Sequence, residues 1–164
     1  PVCLASPLRD VYKRQGEWDV VVASTLQRCA LFATEFATAR GLPLQLDPRL
    51  REYHFGRWQG VPVAEIDRDE GAALGRFWSD PLRYPPPEAE PFEAFCARLA
   101  AALDAIVATY PAQRVLVVTH GGAIRALRCL VAGDGFGHMT ELAVPHASLH
   151  PLRWPPMTAA TAHA

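Results

Sequence analysis

Three segments of the sequence gather side chains suited to handling an anion: Val22-Ala-Ser-Thr-Leu-Gln-Arg28, Leu50-Arg-Glu-Tyr-His-Phe-Gly-Arg-Trp-Gln-Gly60 and Val117-Val-Thr-His-Gly-Gly-Ala-Ile-Arg125. A guanidinium presents a planar fork of donors that grips phosphate or carboxylate oxygens two at a time. Arg28 falls within or just past the first turn of a predicted helix, where outward-pointing backbone N–H groups also favour anions. His120 follows a buried β-branched run and precedes two glycines, which presents it where a strand opens into a ligand crevice. A carboxyl such as Glu52 donates a proton near neutrality only when burial or nearby negative charge raises its pKa. Each residue also has a plain reading. Arg28 serves equally as a surface helix arginine, His120 as a histidine packed under its turn, and Glu52 as a loop carboxylate paired with Arg51 or Arg57.

The elements that must position these groups alternate in type. Asp19–Ala23 is a short β-branched run of the kind covered on both faces of a sheet. Ser24 follows as a predicted N-cap, with Gln27 completing a capping box. Leu26, Ala30, Ala33 and Ala37 continue at helical spacing until Gly41. Residues 47–60 read as a loop and 62–79 as a helix, and Pro81–Pro91 is an irregular proline-rich connection. Phe92, Phe95, Leu99, Leu103, Ile106 and Tyr110 mark another helix, with Pro91 predicted at its first position. Val115–Thr119 is a second buried strand, His120-Gly121-Gly122 a tight turn, and Ala123–Ala132 a helix stopped by Gly133. A last strand lies near Ala147–Trp154, and residues 155–164 are expected to form a mobile tail. The alternation predicts an α/β domain: three layers, with a mainly parallel sheet flanked by helices.

Composition narrows the function classes. With 164 residues, 50% of them hydrophobic and 20% charged, the chain is long enough for one domain with a sizeable core. Sixteen basic residues against 17 acidic ones give a net charge of −1, which offers no broad footprint for nucleic acid. No apolar run approaches the length of a membrane-spanning helix. Cys3, Cys29, Cys96 and Cys129 have neither C-x-x-C nor zinc-ligand spacing and read as reduced thiols of a cytoplasmic protein. Fifteen of the 16 basic residues are arginine, and the single lysine, Lys13, lies in a stretch unlike the rest. Residues 1–15 are therefore expected to be a leader foreign to the domain, which occupies 16–154, with an unusual but genuine N-terminus as the alternative.

Taken together and in order, the three segments resemble the second, third and fourth signature segments of the histidine phosphatase superfamily, the phosphoglycerate-mutase-like enzymes. The resemblance covers residues 19 to about 150. It implies a phosphomonoesterase that acts on a small phosphorylated metabolite through a phosphohistidine, with no metal or cofactor. It implies that Arg28, His120 and Gly121 bind the phosphoryl group, and that His120 also stabilises charge as the group is transferred. Glu52 would protonate the leaving alkoxide, with Ser24 and Arg125 in support.

The departures matter as much. The family's Arg-Ala-x-x-Thr-Ala reads Arg28-Cys-Ala-Leu-Phe32-Ala33, so a hydroxyl becomes a phenyl ring. Pro87-Glu-Ala-Glu90-Pro91 keeps the family's glutamate but not its glycines or serine. With Phe77-Trp78-Ser-Asp-Pro81, that region is similar to α-ribazole phosphatases, so α-ribazole phosphate stands beside a broad range of phosphomonoesters as substrate. The family's first signature, a strand ending in Arg-His-Gly whose histidine is the nucleophile, has no counterpart, for the chain contains no Arg-His dipeptide. The resemblance therefore implies a sheet lacking its first central strand, a gap that the short Val2-Cys-Leu-Ala5 could fill only in part, and a chain that does not turn over. A non-catalytic phosphate-binding module or an inactive fragment is the alternative.

Overall fold

The computed structural model describes residues 2–5, 18–133 and 135–156. Five short strands form one sheet: β1 (Val2–Ala5), β2 (Val20–Ser24), β3 (Leu44–Asp47), β4 (Val115–Val118) and β5 (Leu149–Leu152). Their spatial order is β3-β2-β4-β1-β5, parallel except for the β1–β5 pair. Four helices surround them: α1 (Gln27–Arg40), α2 (Val63–Ser79), α3 (Phe92–Thr109) and α4 (Gly121–Ala132).

Every residue of β2 and β4 is buried, because successive side chains point to opposite faces and both faces are covered. Val21, Ala23, Leu116 and Val118 pack against Cys29, Ala33, Phe36 and Ala37, which places α1 on one side. Val20, Val22, Val115 and Val117 join Phe95, Leu99, Leu103, Ile124 and Leu127 of α3 and α4 on the other. The expected three-layer α/β arrangement is therefore present. Cys29 and Cys96 are buried free thiols, and Cys129 is buried as well. Among the described residues, no helix is long and apolar enough to cross a membrane.

Several expectations need correction. A sheet lacking its first central strand is not what forms, since β1 lies between β4 and β5, with Val2 opposite both Val115 and Leu152. Two buried strand edges left facing a gap are costly, and a short extended segment that reaches the gap satisfies both. The rest of the atypical stretch, residues 6–17, lies outside the described residues, as do 157–164 of the expected tail. No capping box forms at α1: Leu26 is the N-cap, and Ser24, still in the strand, accepts the Leu26 N–H on its hydroxyl at 3.2 Å. Pro91 is the N-cap of α3 rather than its first residue. The two glycines after His120 are the first turn of α4, not a turn preceding it. Gly41 does end α1 in the left-handed conformation that glycine adopts without strain, at φ 63°.

Candidate active site

Because β2 and β4 are neighbours running in the same direction, the helices that follow them begin side by side at the carboxyl edge of the sheet. Arg28, the second residue of α1, thereby meets His120, the N-cap of α4, across 92 positions of sequence. The Arg28 Nε–H donates to His120 Nδ1 at 3.1 Å, and His120 Nε2 lies 2.8 Å from the Ser24 hydroxyl. A guanidinium can only donate, so Nδ1 must accept and the ring proton resides on Nε2, where it is donated to Ser24. The imidazole is neutral. Burial above all, then the positive charges of Arg28, Arg98 and Arg51, push its pKa down to about 3. Cys29, on the next residue of α1, donates its thiol to the Thr119 carbonyl at 3.5 Å. Burial pushes that thiol up to about 12, so it stays protonated beside the ring.

Glu52 reaches the cleft from the loop between β3 and α2. One carboxylate oxygen accepts the Gly122 N–H at 3.1 Å, and the other accepts those of Ala123 and Tyr53, each at 3.1 Å. The carboxylate thus covers the amino end of α4, where unpaired donors and the helix dipole favour negative charge. Burial nevertheless wins and holds its pKa above the usual glutamate value, against the opposing pull of the three N–H groups and Arg28. Gly122 is required here, since a β-carbon at that position would collide with Glu52 Oε1.

The loop is held in place by a residue that sequence reasoning passed over. Arg98 of α3 donates to the carbonyls of Arg49 and Arg51 at 2.7 Å each and to that of Glu52 at 3.0 Å. The same guanidinium grips both oxygens of Glu90, at 2.6 and 3.0 Å. Glu90 in turn accepts the His54 N–H on its carboxylate and the Tyr53 hydroxyl on its carbonyl, both at 2.8 Å. Thr119 closes the circuit by donating to the Leu50 carbonyl at 2.8 Å. The one available signal was a charge beside the apolar stripe of α3, next to Leu99 and eight residues beyond Glu90.

Arg28, Glu52, His120, Gly121 and Arg125 line a single cavity of about 850 Å³. Ser24 is buried beneath His120, and Arg125 is held by a 2.9 Å bond to the Leu142 carbonyl. His54 is not part of the cavity lining and accepts the Gly56 N–H on its own ring. The same cavity is also lined by the aromatic rings of Phe32, Phe55, Phe77 and Trp78. Among the described residues, no group of three or more His, Cys, Asp or Glu is arranged to hold a metal ion.

A family model described as the histidine phosphatase superfamily, branch 1, matches residues 5–162. The chain belongs to that superfamily. It is 30% identical to a glucosyl-3-phosphoglycerate phosphatase of Mycobacterium tuberculosis over 158 residues, covering 82% of this chain and 70% of that one. The structure of a mycobacterial glucosyl-3-phosphoglycerate phosphatase superposes with a TM-score of 0.71 at 30% identity, covering 85% of this chain and 68% of that one. An α-ribazole phosphatase from Shigella flexneri shares the fold, with a TM-score of 0.72 over 90% of this chain and 87% of that one, but is only 19% identical. The chain spans 64% of the length of a relative from Hydrogenobacter thermophilus and 37% of that of a bifunctional protein from Mycobacterium tuberculosis. Relatives in this superfamily thus carry phosphatase names.

Proposed function

We propose that this cleft binds the phosphoryl group of a small phosphorylated metabolite, and that a chain also carrying the superfamily's Arg-His-Gly segment hydrolyses the ester through a phosphohistidine. The observation that carries this is the meeting of Arg28, His120 and Glu52 in one cavity. Arg28 clamps the phosphoryl oxygens, with Gly121 beside them at the start of α4. A bound dianion offsets the positive charges that add to burial in keeping His120 neutral, which favours a proton on the ring and lets it stabilise charge as transfer proceeds. Glu52, its pKa raised by burial, holds a proton closer to neutrality than a free glutamate and passes it to the leaving alkoxide. Ser24 fixes the ring of His120, and Arg125 supports the mouth. The phosphoryl end of this scheme does not distinguish α-ribazole phosphate from other small phosphomonoesters, and the buried thiols of Cys29 and Cys96 suit a cytoplasmic setting.

Residues 1–164 lack an Arg-His-Gly nucleophile. We take the domain as 16–154, with 155–164 as its tail, and Val2–Ala5 as a segment of the atypical stretch that completes its sheet between β4 and β5. The same omission favours the second reading, a phosphate-binding module without turnover. Inorganic phosphate or vanadate should bind weakly, and Arg28→Ala should weaken it further by about tenfold or more, the worth of a charge-assisted hydrogen bond. Equal affinity in both proteins would reduce Arg28 to a surface residue. p-Nitrophenyl phosphate should not be hydrolysed above background. Replacing residues 1–15 with a strand ending in Arg-His-Gly should restore turnover, and Glu52→Gln should then remove most of it. Hydrolysis by the chain as it stands, with a phosphoenzyme lost in His120→Ala, would reassign the nucleophile.

A further inference from the structure

The cavity lining combines two unlike groups of side chains. Arg28, His120 and Glu52 are polar, whereas Phe55, Phe77 and Trp78, together with Leu31 and Phe32 of α1, are apolar. The aromatic wall is built of edges set against faces: Phe55 meets Phe77 edge-on at 6.0 Å, and Trp78 lies tilted at 5.0 Å from Phe77. Trp78 and Leu31 remain 38% and 57% exposed, among the most exposed large apolar side chains of the described residues. Apolar surface left open in a concave site marks where a ligand covers it. Phe32 lies one helical turn beyond Arg28, about 6 Å along the axis, so an ester oxygen near Arg28 puts the next atoms of its alcohol beside a ring. A polyol there would lose water from its hydroxyls against groups that cannot replace it. A flat ring would stack or meet edges.

Resting on the phosphate site described above, we infer that the alcohol portion of the ester is an aromatic ring bonded directly, or through one or two atoms, to the ester oxygen. Sugar and glycerate phosphates are disfavoured. The test is calorimetric or NMR titration of the full chain with 1-naphthyl phosphate and with glycerol 2-phosphate. The naphthyl ester should bind roughly tenfold more tightly. Trp78→Ala, and independently Phe32→Thr, should bring the ratio of the two affinities towards unity, while Arg28→Ala should weaken both esters. Equal affinity for the two esters in the unaltered chain, with Arg28→Ala still weakening both, would overturn the aromatic assignment and leave the phosphate site standing. Tight naphthyl binding that ignores Arg28→Ala would also overturn it, as apolar association outside the site. If neither ester responds to Arg28→Ala, the phosphate site itself is wrong, and the aromatic assignment falls with it.

Discussion

The two strand–helix junctions and the loop over residues 47–60 deliver side chains to the same cleft by different means. At the junctions, Arg28 and His120 are where they are because β2 and β4 are adjacent and each ends just before its residue. Few contacts beyond the sheet are needed. Glu52 has no regular element beneath it. Its position depends on Arg98 and Glu90 from one side and on the amino end of α4 from the other. A site group on a junction inherits the rigidity of the sheet, whereas a site group on a loop requires a scaffold of its own, and that scaffold is where substitutions should hurt.

The sharpest break of this comparison is Arg98→Ala. It removes the donor to three carbonyls and leaves the Glu90 carboxylate without its ion-pair partner, with both side chains only about one-fifth exposed (23% and 19%). We expect a loss of about 2–4 kcal/mol in urea unfolding, after allowing for that partial exposure. Arg28→Ala, at the exposed start of α1, removes a single donor, to His120 Nδ1, and should cost about 1 kcal/mol. Similar losses at the two positions would mean that the loop is no more dependent on its scaffold than the junctions are.

The next test compares the adjacent glycines of α4. A β-carbon at Gly122 collides with the Glu52 carboxylate, whereas one at Gly121 comes 3.0 Å from the end of the Arg125 side chain, which can swing away. Gly122→Ala should therefore cost about 1–2 kcal/mol by overpacking, and Gly121→Ala should be near neutral because alanine is the better helix former. Thermal midpoints of the two variants check this. A larger fall for Gly121→Ala would contradict the docking of Glu52 on α4.

The last test probes the junction through protons. Folded His120 titrates near 3 and an unfolded histidine near 6.5, so between those values the unfolded chain binds a proton that the folded site refuses. The contribution is fully present above pH 6.5 and is lost progressively as pH falls towards 3. His120→Gln should flatten that part of the stability profile relative to the unaltered chain. An unchanged slope from pH 7 to pH 4.5 would show that the ring is not held neutral between Arg28 and Ser24.

The junctions were legible because their signals are local. A buried β-branched run, a helix period and a stopping glycine act within a few residues, and the runs at 20–24 and 115–118 needed nothing else. Leu44–Asp47 escaped notice because a four-residue strand at the sheet edge, reading Leu-Gln-Leu-Asp and mostly uncovered, carries no such run. The capping box at Ser24 was a local pattern overruled by a distant one, for its hydroxyl is engaged by His120 as well as by Leu26.

By itself, the sequence determined the α/β alternation, the places of Arg28 and His120 at strand ends, and the residue types that could hold a phosphoryl group. Tertiary structure decided that Val2–Ala5 does fill the gap between β4 and β5, that Glu52 covers the start of α4 and that Arg98 holds the loop. It also decided that the His120 proton resides on Nε2 and that aromatic rings from separate elements share one wall. The reason is distance along the chain. Periodicity and capping act over a few residues, whereas the bonds that place Glu52 on α4 and hold its loop to Arg98 join positions 70 and 46 residues apart, and only the folded sheet brings such groups within a hydrogen bond's reach.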